Sequence, residues 1–175
     1  MNETIFLIDT NSFITPYHNY YPFDIAPTFW DFLKVHIENG NIAVMSKVYD
    51  EVAKGNDELK EWLLSLSFAQ VSHSTSDVTN IYRQVMDHIQ NAVSLEGKSL
   101  YNERALYKWA DINCADAIVA AAKAKGYTII SFEQPDNALG SSISGKPRIP
   151  DVAKAFGVPY STLFSMMRTL GFSFK

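Results

Sequence analysis

The run Thr4-Ile5-Phe6-Leu7-Ile8 is apolar without polar alternation and stops abruptly at Asp9-Thr10-Asn11-Ser12. A strand of this kind suits burial on both faces, as in a parallel sheet, and parallel strands need helical crossovers between them. The rest of the chain supplies such crossovers. Phe29, Phe32, Leu33 and Ile37 keep helical spacing up to Gly40, and residues 42–45 form a second apolar run. Ser46 is a good N-cap for a helix carrying Val48, Tyr49, Glu51 and Val52. Gly55 breaks that helix, residues 59–66 resume a helical pattern, and residues 68–71 are a weaker strand candidate. Val78, Ile81, Val85 and Ile89 return to helical spacing, followed by helical stretches at 101–109 and 113–125 and a stop at Gly126. Residues 127–132 are the best remaining strand, and 150–156 and 161–170 read as short helices stopped by Gly157 and Gly171. Strands that alternate with helices predict the α/β class with a mainly parallel sheet. With no linker, repeat or low-complexity tract, residues 1–175 are expected to form a single domain.

Composition narrows the function. The chain is 47% hydrophobic and 19% charged, ordinary for a globular protein and unlike a disordered one. Its one cysteine, Cys114, forms no internal disulfide and has no His- or Cys-rich neighbourhood, so a reducing, cytoplasmic setting is expected. No apolar run approaches the roughly 20 residues of a membrane span, and no basic flank precedes an apolar stretch as in a secretory signal. The net charge of −4 argues against a purely electrostatic nucleic-acid binder. It does not argue against a nuclease whose carboxylates hold cations, because the cation then faces the phosphate.

In open parallel sheets the functional crevice lies beyond the carboxyl ends of the strands. Asp9 follows the first strand, Glu51 lies in the helix after the second, and Glu133 follows residues 127–132. Asp116 sits near the start of the helix that leads into that last strand. Acids drawn to one crevice repel one another unless a hard cation lies between them, and such oxygen ligands suit Mg²⁺ or Mn²⁺. Each acid also has a structural reading. Asp9 stands in a phrase of capping types, Glu51 is a helix residue that water could solvate, and Glu133 could be a loop acid. Asp116 could complement a helix dipole, yet the stretch Ala117-Ile118-Val119-Ala120-Ala121-Ala122 that follows is apolar all round, and an acid at the mouth of a buried helix needs a partner.

Phe6-Leu7-Ile8-Asp9-Thr10-Asn11-Ser12-Phe13 resembles the opening of PIN domains. Val44-Met45-Ser46 with Glu51-Val52 is similar to their second block, and residues 115–122 with Gly126 and 127–131 resemble the third. The resemblance extends to a PIN-like branch of prokaryotic proteins through Tyr20-Tyr21-Pro22-Phe23-Asp24-Ile25-Ala26-Pro27 and Ile149-Pro150-Asp151. It implies a three-layer α/β/α sandwich and a Mg²⁺- or Mn²⁺-dependent endoribonuclease with Asp9, Glu51, Asp116 and Glu133 as metal-holding catalytic acids. Many such relatives are VapC-like toxins, which implies an antitoxin partner and leaves a homodimer open. Where many PIN domains have an Asp as fourth acid, this chain has Ser131-Phe132-Glu133, and Asp136 and Asp111 compete for the place. Asp111 precedes Asp116 by five residues, about 140° around a helix axis, and so shares the site only if the helix begins after it.

In this reading the carboxylates fix cations that orient and acidify a water and balance charge on phosphate. Asn11 is a candidate for contacting bound water and Ser12 for contacting phosphate, with helix capping the equal alternative for both. Tyr17, Tyr20, Tyr21, Phe23, Phe29 and Trp30 either stack on RNA bases or pack core and lid. Arg83, Lys98, Arg104 and Lys108 either rim the nucleic-acid path or are scattered surface charge. A phosphatase of the haloacid-dehalogenase type needs a second Asp where Asn11 stands, and no Gly-rich phosphate loop is present. The remaining alternative is an idle PIN-like module that binds RNA or a protein without cutting.

Overall fold

The computed structural model describes residues 4–111 and 115–174, and of Asp111, Ala115 and Asp116 it describes the backbone alone. Strand β1 (Phe6–Ile8) is buried along its whole length, as a strand without polar alternation should be. Among the described residues it lies inside a parallel sheet of order β2-β1-β3-β4, where β2 is Ile42–Val44, β3 is Thr128–Ile130 and β4 is Tyr160–Ser161. Phe6, Leu7 and Ile8 pair with Ile42, Ala43 and Val44 on one side and with Thr128, Ile129 and Ile130 on the other. Helices cover the sheet to make a three-layer α/β/α sandwich. Helices α1 (Asn11–Asn19) and α2 (Pro27–Glu38) connect β1 to β2. The return to β3 runs through α3 (Ser46–Ala53), α4 (Glu58–Leu64), α5 (Ser76–Asn91), α6 (Glu103–Asp111) and α7 (Ala115–Lys125). Helix α8 (Ile149–Ala155) leads to β4, and α9 (Leu163–Thr169) follows it.

The order of the strands positions the site. The chain leaves β1 for β2 on one side and returns as β3 on the other, so the connections part beyond the carboxyl ends of β1 and β3. That parting leaves a crevice, the usual ligand position of open α/β sheets.

Two kinds of packing hold the crevice rigid. Ala117, Ile118, Val119, Ala120, Ala121 and Ala122 of α7 are all buried, and their small side chains let α5 approach closely with Val78, Val85 and Ile89. Elsewhere, bulk fills the space. Trp30 stacks on Phe23 at 4.4 Å and meets Trp62 edge-on at 4.9 Å, while its indole N–H donates to the Tyr21 carbonyl at 2.7 Å. Residues beyond α9 return to this aromatic group, where Phe172 packs edge-on against Phe32 at 4.9 Å.

The structure departs from the sequence reading at several points. Helix α1 was not anticipated, because Pro16 sits inside it and removes one backbone donor. The helix forms because Phe13, Pro16 and Tyr17 share the face that packs on the core. Ser46 is the first residue of α3 rather than its cap. Met45 precedes it in extended conformation, held by the parallel bridge to Val71, and the Ser46 hydroxyl bonds His73 Nδ1 at 2.9 Å instead. Residues 68–71 contribute only that bridge at Val71, not a strand. Strand β4 was also missed. Two residues show no periodicity, and Pro159 ahead of them suits only a sheet edge. Among the described residues, no helix is long and apolar enough to cross a membrane.

Candidate active site

Asp9 is placed by the sheet itself. Its backbone N–H donates to the Ile130 carbonyl at 2.9 Å, which carries the β1–β3 ladder one step past Ile8 and fixes the side chain in the crevice. The residue is 3% exposed. Ser131 Oγ, from the end of β3, donates to Asp9 Oδ2 at 3.1 Å and in turn accepts the Glu133 N–H at 3.1 Å. Burial pushes the Asp9 carboxyl up to about 6; the Ser131 hydroxyl and the Thr10 backbone oppose that rise, and the charges of Glu133 and Glu51 add to it. An acid held this way remains partly neutral near pH 6 and gains from any positive charge brought to it.

Glu51 lies in the second turn of α3 and is partly buried. The Thr10 hydroxyl, itself closed to solvent, donates to Glu51 Oε2 at 2.8 Å and ties α3 to the end of β1. Glu133 lies just beyond β3. Its Oε2 accepts the N–H of Ile149, the first residue of α8, at 2.8 Å, and Lys146 Nζ stands 3.8 Å from Oε1. Asp116 is in the first turn of α7, and its side chain lies outside the described residues, as does that of Asp111 at the end of α6. The structure therefore brings Asp9, Glu51 and Glu133 within electrostatic reach of one another. Among the described residues, no three His, Cys, Asp or Glu side chains stand close enough to enclose an ion.

The other residues singled out in the sequence separate clearly. Asn11 is exposed at the start of α1. Ser12 is fully buried and donates its hydroxyl to the Ile130 carbonyl at 3.3 Å, so it braces α1 against β3 and is closed to any phosphate. Asp136 takes a turn role: its Oδ1 accepts the Ala138 N–H at 3.0 Å, while its own N–H donates to Asp151 Oδ2 at 2.9 Å. Arg83 bonds Asn80 within α5, and Lys98 pairs with Glu96 in the turn between α5 and α6.

Sequence reasoning overlooked four contributors. Thr10 and Ser131 orient two of the acids, and their signal was a hydroxyl residue within two positions of the end of an apolar strand. Lys146 places a positive charge beside Glu133 from a loop without pattern. Asp151, in the first turn of α8, also neighbours Glu133. Burial raises its carboxyl, as do the charges of Asp136 and Glu133, against the Asp136 N–H and the charge of Arg148. Beside it, burial pushes the Tyr101 hydroxyl up to about 12, with Asp151 and Asp136 adding to the effect.

The sequence matches the domain family of unknown function DUF4411 over residues 6–174. The chain belongs to the DUF4411 family. No curated protein sequence matches it. Among solved structures, a chain of VapBC2 from Rickettsia felis, crystallised bound to a DNA fragment from their promoter, is similar with a TM-score of 0.50. The likeness covers 91% of this chain and 98% of that chain at 14% identity. This DUF4411 protein thus has a VapC-like PIN-domain fold, and its Asp9, Glu51 and Glu133 stand at the carboxyl ends of that fold's parallel strands.

Proposed function

We propose that this protein is a divalent-metal-dependent endoribonuclease that hydrolyses phosphodiester bonds at Asp9, Glu51, Asp116 and Glu133. The observation that carries the reading is Asp9. A carboxylate buried at the parting of the sheet, raised to about 6 by burial and by two neighbouring acids, is costly for the fold and has no structural task that a neutral residue would not do better. The donor set fits a hard cation, since it offers oxygen atoms only, and added positive charge would relieve the repulsion among Asp9, Glu133 and Glu51. Mg²⁺ or Mn²⁺ would be held by Asp9 with Glu51, Asp116 and Glu133, and when bound supplies positive charge facing phosphate and a water of lowered pKa.

The chain's own residues set up that chemistry. Ser131 donates to one oxygen of Asp9, and the Thr10 backbone also steadies the carboxylate. Thr10 holds Glu51 in place across the crevice. Lys146, more than half exposed, offers a mobile cation to the phosphate backbone next to Glu133. Cleavage of a mixed RNA pool with millimolar Mn²⁺ tests the reading: wild type should cut, Asp9→Asn should not, and EDTA should stop the reaction. Equal cutting by Asp9→Asn would remove Asp9 from its role.

A second reading has one observation in its favour. Glu133 is committed to the Ile149 N–H and Glu51 to the Thr10 hydroxyl, as befits an idle module that binds RNA or a protein without cutting. Absence of cleavage with Mn²⁺ or Mg²⁺ would decide for it. The likeness to VapBC2 supports a toxin with an antitoxin partner. Growth arrest on expression, relieved by Asp9→Asn, tests that part separately.

A further inference from the structure

Glu133 is joined to Asp9 through Ser131, whose hydroxyl donates to Asp9 Oδ2 and accepts the Glu133 N–H. On its other side the chain supplies a positive charge. Lys146 Nζ stands 3.8 Å from Glu133 Oε1, while Oε2 accepts the Ile149 N–H at 2.8 Å. At 3.8 Å the ammonium is held by charge and not by a hydrogen bond, so its three N–H donors are not committed to the carboxylate. The turn that presents this lysine is firmly mounted. Ser144 Oγ accepts the Lys146 N–H at 3.4 Å and donates to the Lys146 carbonyl at 3.2 Å. The Ser144 N–H donates to the Leu100 carbonyl at 2.9 Å, and its carbonyl accepts the Asn102 N–H at 3.0 Å. A Cβ on Gly145 would meet the Asn102 amide nitrogen at 3.0 Å, and Pro147 is buried. Arg148, the other cation of the turn, is directed elsewhere: it donates to the Gln134 carbonyl at 3.5 Å, and its charge acts on Asp151.

We infer that the Lys146 ammonium takes the place of a second metal ion, so that the site holds one divalent cation and Lys146 contacts the phosphate as its other positive charge. This rests on the nucleolytic reading above and adds a catalytic residue to it. Two-ion sites bring their cations within about 4 Å of each other and need carboxylates around both. Among the described residues no three acids enclose an ion, so Asp9 and Glu51 need Asp116 to complete even one set. Glu133, already bonded to Ile149, has Lys146 where a second ion would sit, and the two cations would repel. An ammonium on a flexible stem is a compact charge with rotatable donors, able to turn from Glu133 to a phosphate oxygen as negative charge builds there. It forms and breaks no covalent bond in this role and keeps its proton throughout.

Calorimetric titration of the full chain with Mn²⁺, beside cleavage of a mixed RNA pool, tests the assignment. Wild type should take up one ion per chain. Lys146→Met keeps the length of the side chain and removes its charge. It should bind Mn²⁺ about threefold to tenfold more tightly, because no fixed cation opposes the ion, and the gain should shrink in high salt. Its kcat at saturating Mn²⁺ should fall about a hundredfold to a thousandfold. A merely structural loss would not tighten ion binding. Lys146→Arg should keep kcat and Kd within about tenfold of wild type. Lys98→Met, which removes a cation paired with Glu96 at 2.8 Å, should change neither. Two ions per chain in the wild type, no uptake of Mn²⁺, or an unchanged or weaker Kd in Lys146→Met would each overturn the inference. Cleavage by Lys146→Met at the wild-type rate would overturn it and keep the nuclease. Tighter ion binding by Lys146→Met in a chain that never cuts RNA would retain Lys146 as the second charge of the site and remove the nuclease.

Discussion

Asp9 and Asp77 face opposite fates within one fold. Asp77 is exposed in the first turn of α5, and its carboxylate receives Lys125 Nζ from the end of α7 at 2.8 Å. That hydrogen bond holds its carboxyl well below the usual range, with help from Thr75 and the Val78 backbone. Asp9 is buried beside two like charges, with hydroxyl and backbone donors but no cation among the described residues, and its carboxyl rises to about 6. The first is charge completed by the fold, the second charge left incomplete. Completed pairs at a surface hold elements together weakly, whereas a buried acid with a raised pKa is the kind of group that functional sites are built around.

The sharpest way to break this contrast is Asp9→Asn. Cleavage should fall by at least about a hundredfold, as for loss of a principal electrostatic group. The apo protein should at the same time become more stable. A carboxyl raised from the ordinary 3.8 to about 6 contributes stability that is fully present below pH about 4 and is lost as pH rises through 6. The advantage of Asn should therefore grow between pH 4 and 6 to at most about 3 kcal/mol at pH 7 and vanish in acid. Melts of both proteins across pH check the sign; an Asn variant destabilised equally at pH 4 and 7 would show that packing, not charge, dominates.

Metal addition sharpens the same point from the other direction. An ion at a hundredfold excess over its Kd should stabilise the wild type by about 2.7 kcal/mol, seen as a higher Tm with Mn²⁺ than with EDTA. Asp9→Asn should lose most of that gain while Asp77→Asn keeps it. Identical melts with and without Mn²⁺, with no heat of binding, would end the metal reading.

Ser131→Ala removes the hydroxyl that steadies the charged form of Asp9. A hydrogen bond to a charged group is worth about 1.5 kcal/mol, or about one pKa unit. The acid limb of the cleavage profile should move about that far to higher pH, while Ser12→Ala, whose hydroxyl donates to the Ile130 carbonyl, should leave the limb in place. The smallest effect is expected from Lys125→Ala. It exposes Asp77 to water that already solvates it, so cleavage should be unchanged, and a small loss of Tm should disappear in high salt.

The sequence alone determined the alternation of apolar runs and helices, and with it the parallel sheet and the carboxyl-end edge where Asp9, Glu51 and Glu133 stand. These features were legible because they are local: an unbroken apolar strand, a 3.6-residue spacing and a glycine stop each act within one element. Tertiary structure decided the rest. Helix α1 forms despite Pro16 because Phe13 and Tyr17 find the core, and β4 exists only because Ile129 and Ile130 offer it an edge. Ser131 became the partner of Asp9, and Ser12 a brace, because β1 and β3 lie side by side across more than a hundred residues of chain. Tyr20 and Tyr21 are indistinguishable as letters, yet one is half in water against Phe132 and the other rests on the core. Contacts between residues so far apart in sequence depend on which strands pair and in what register, and no single stretch of the chain carries that information.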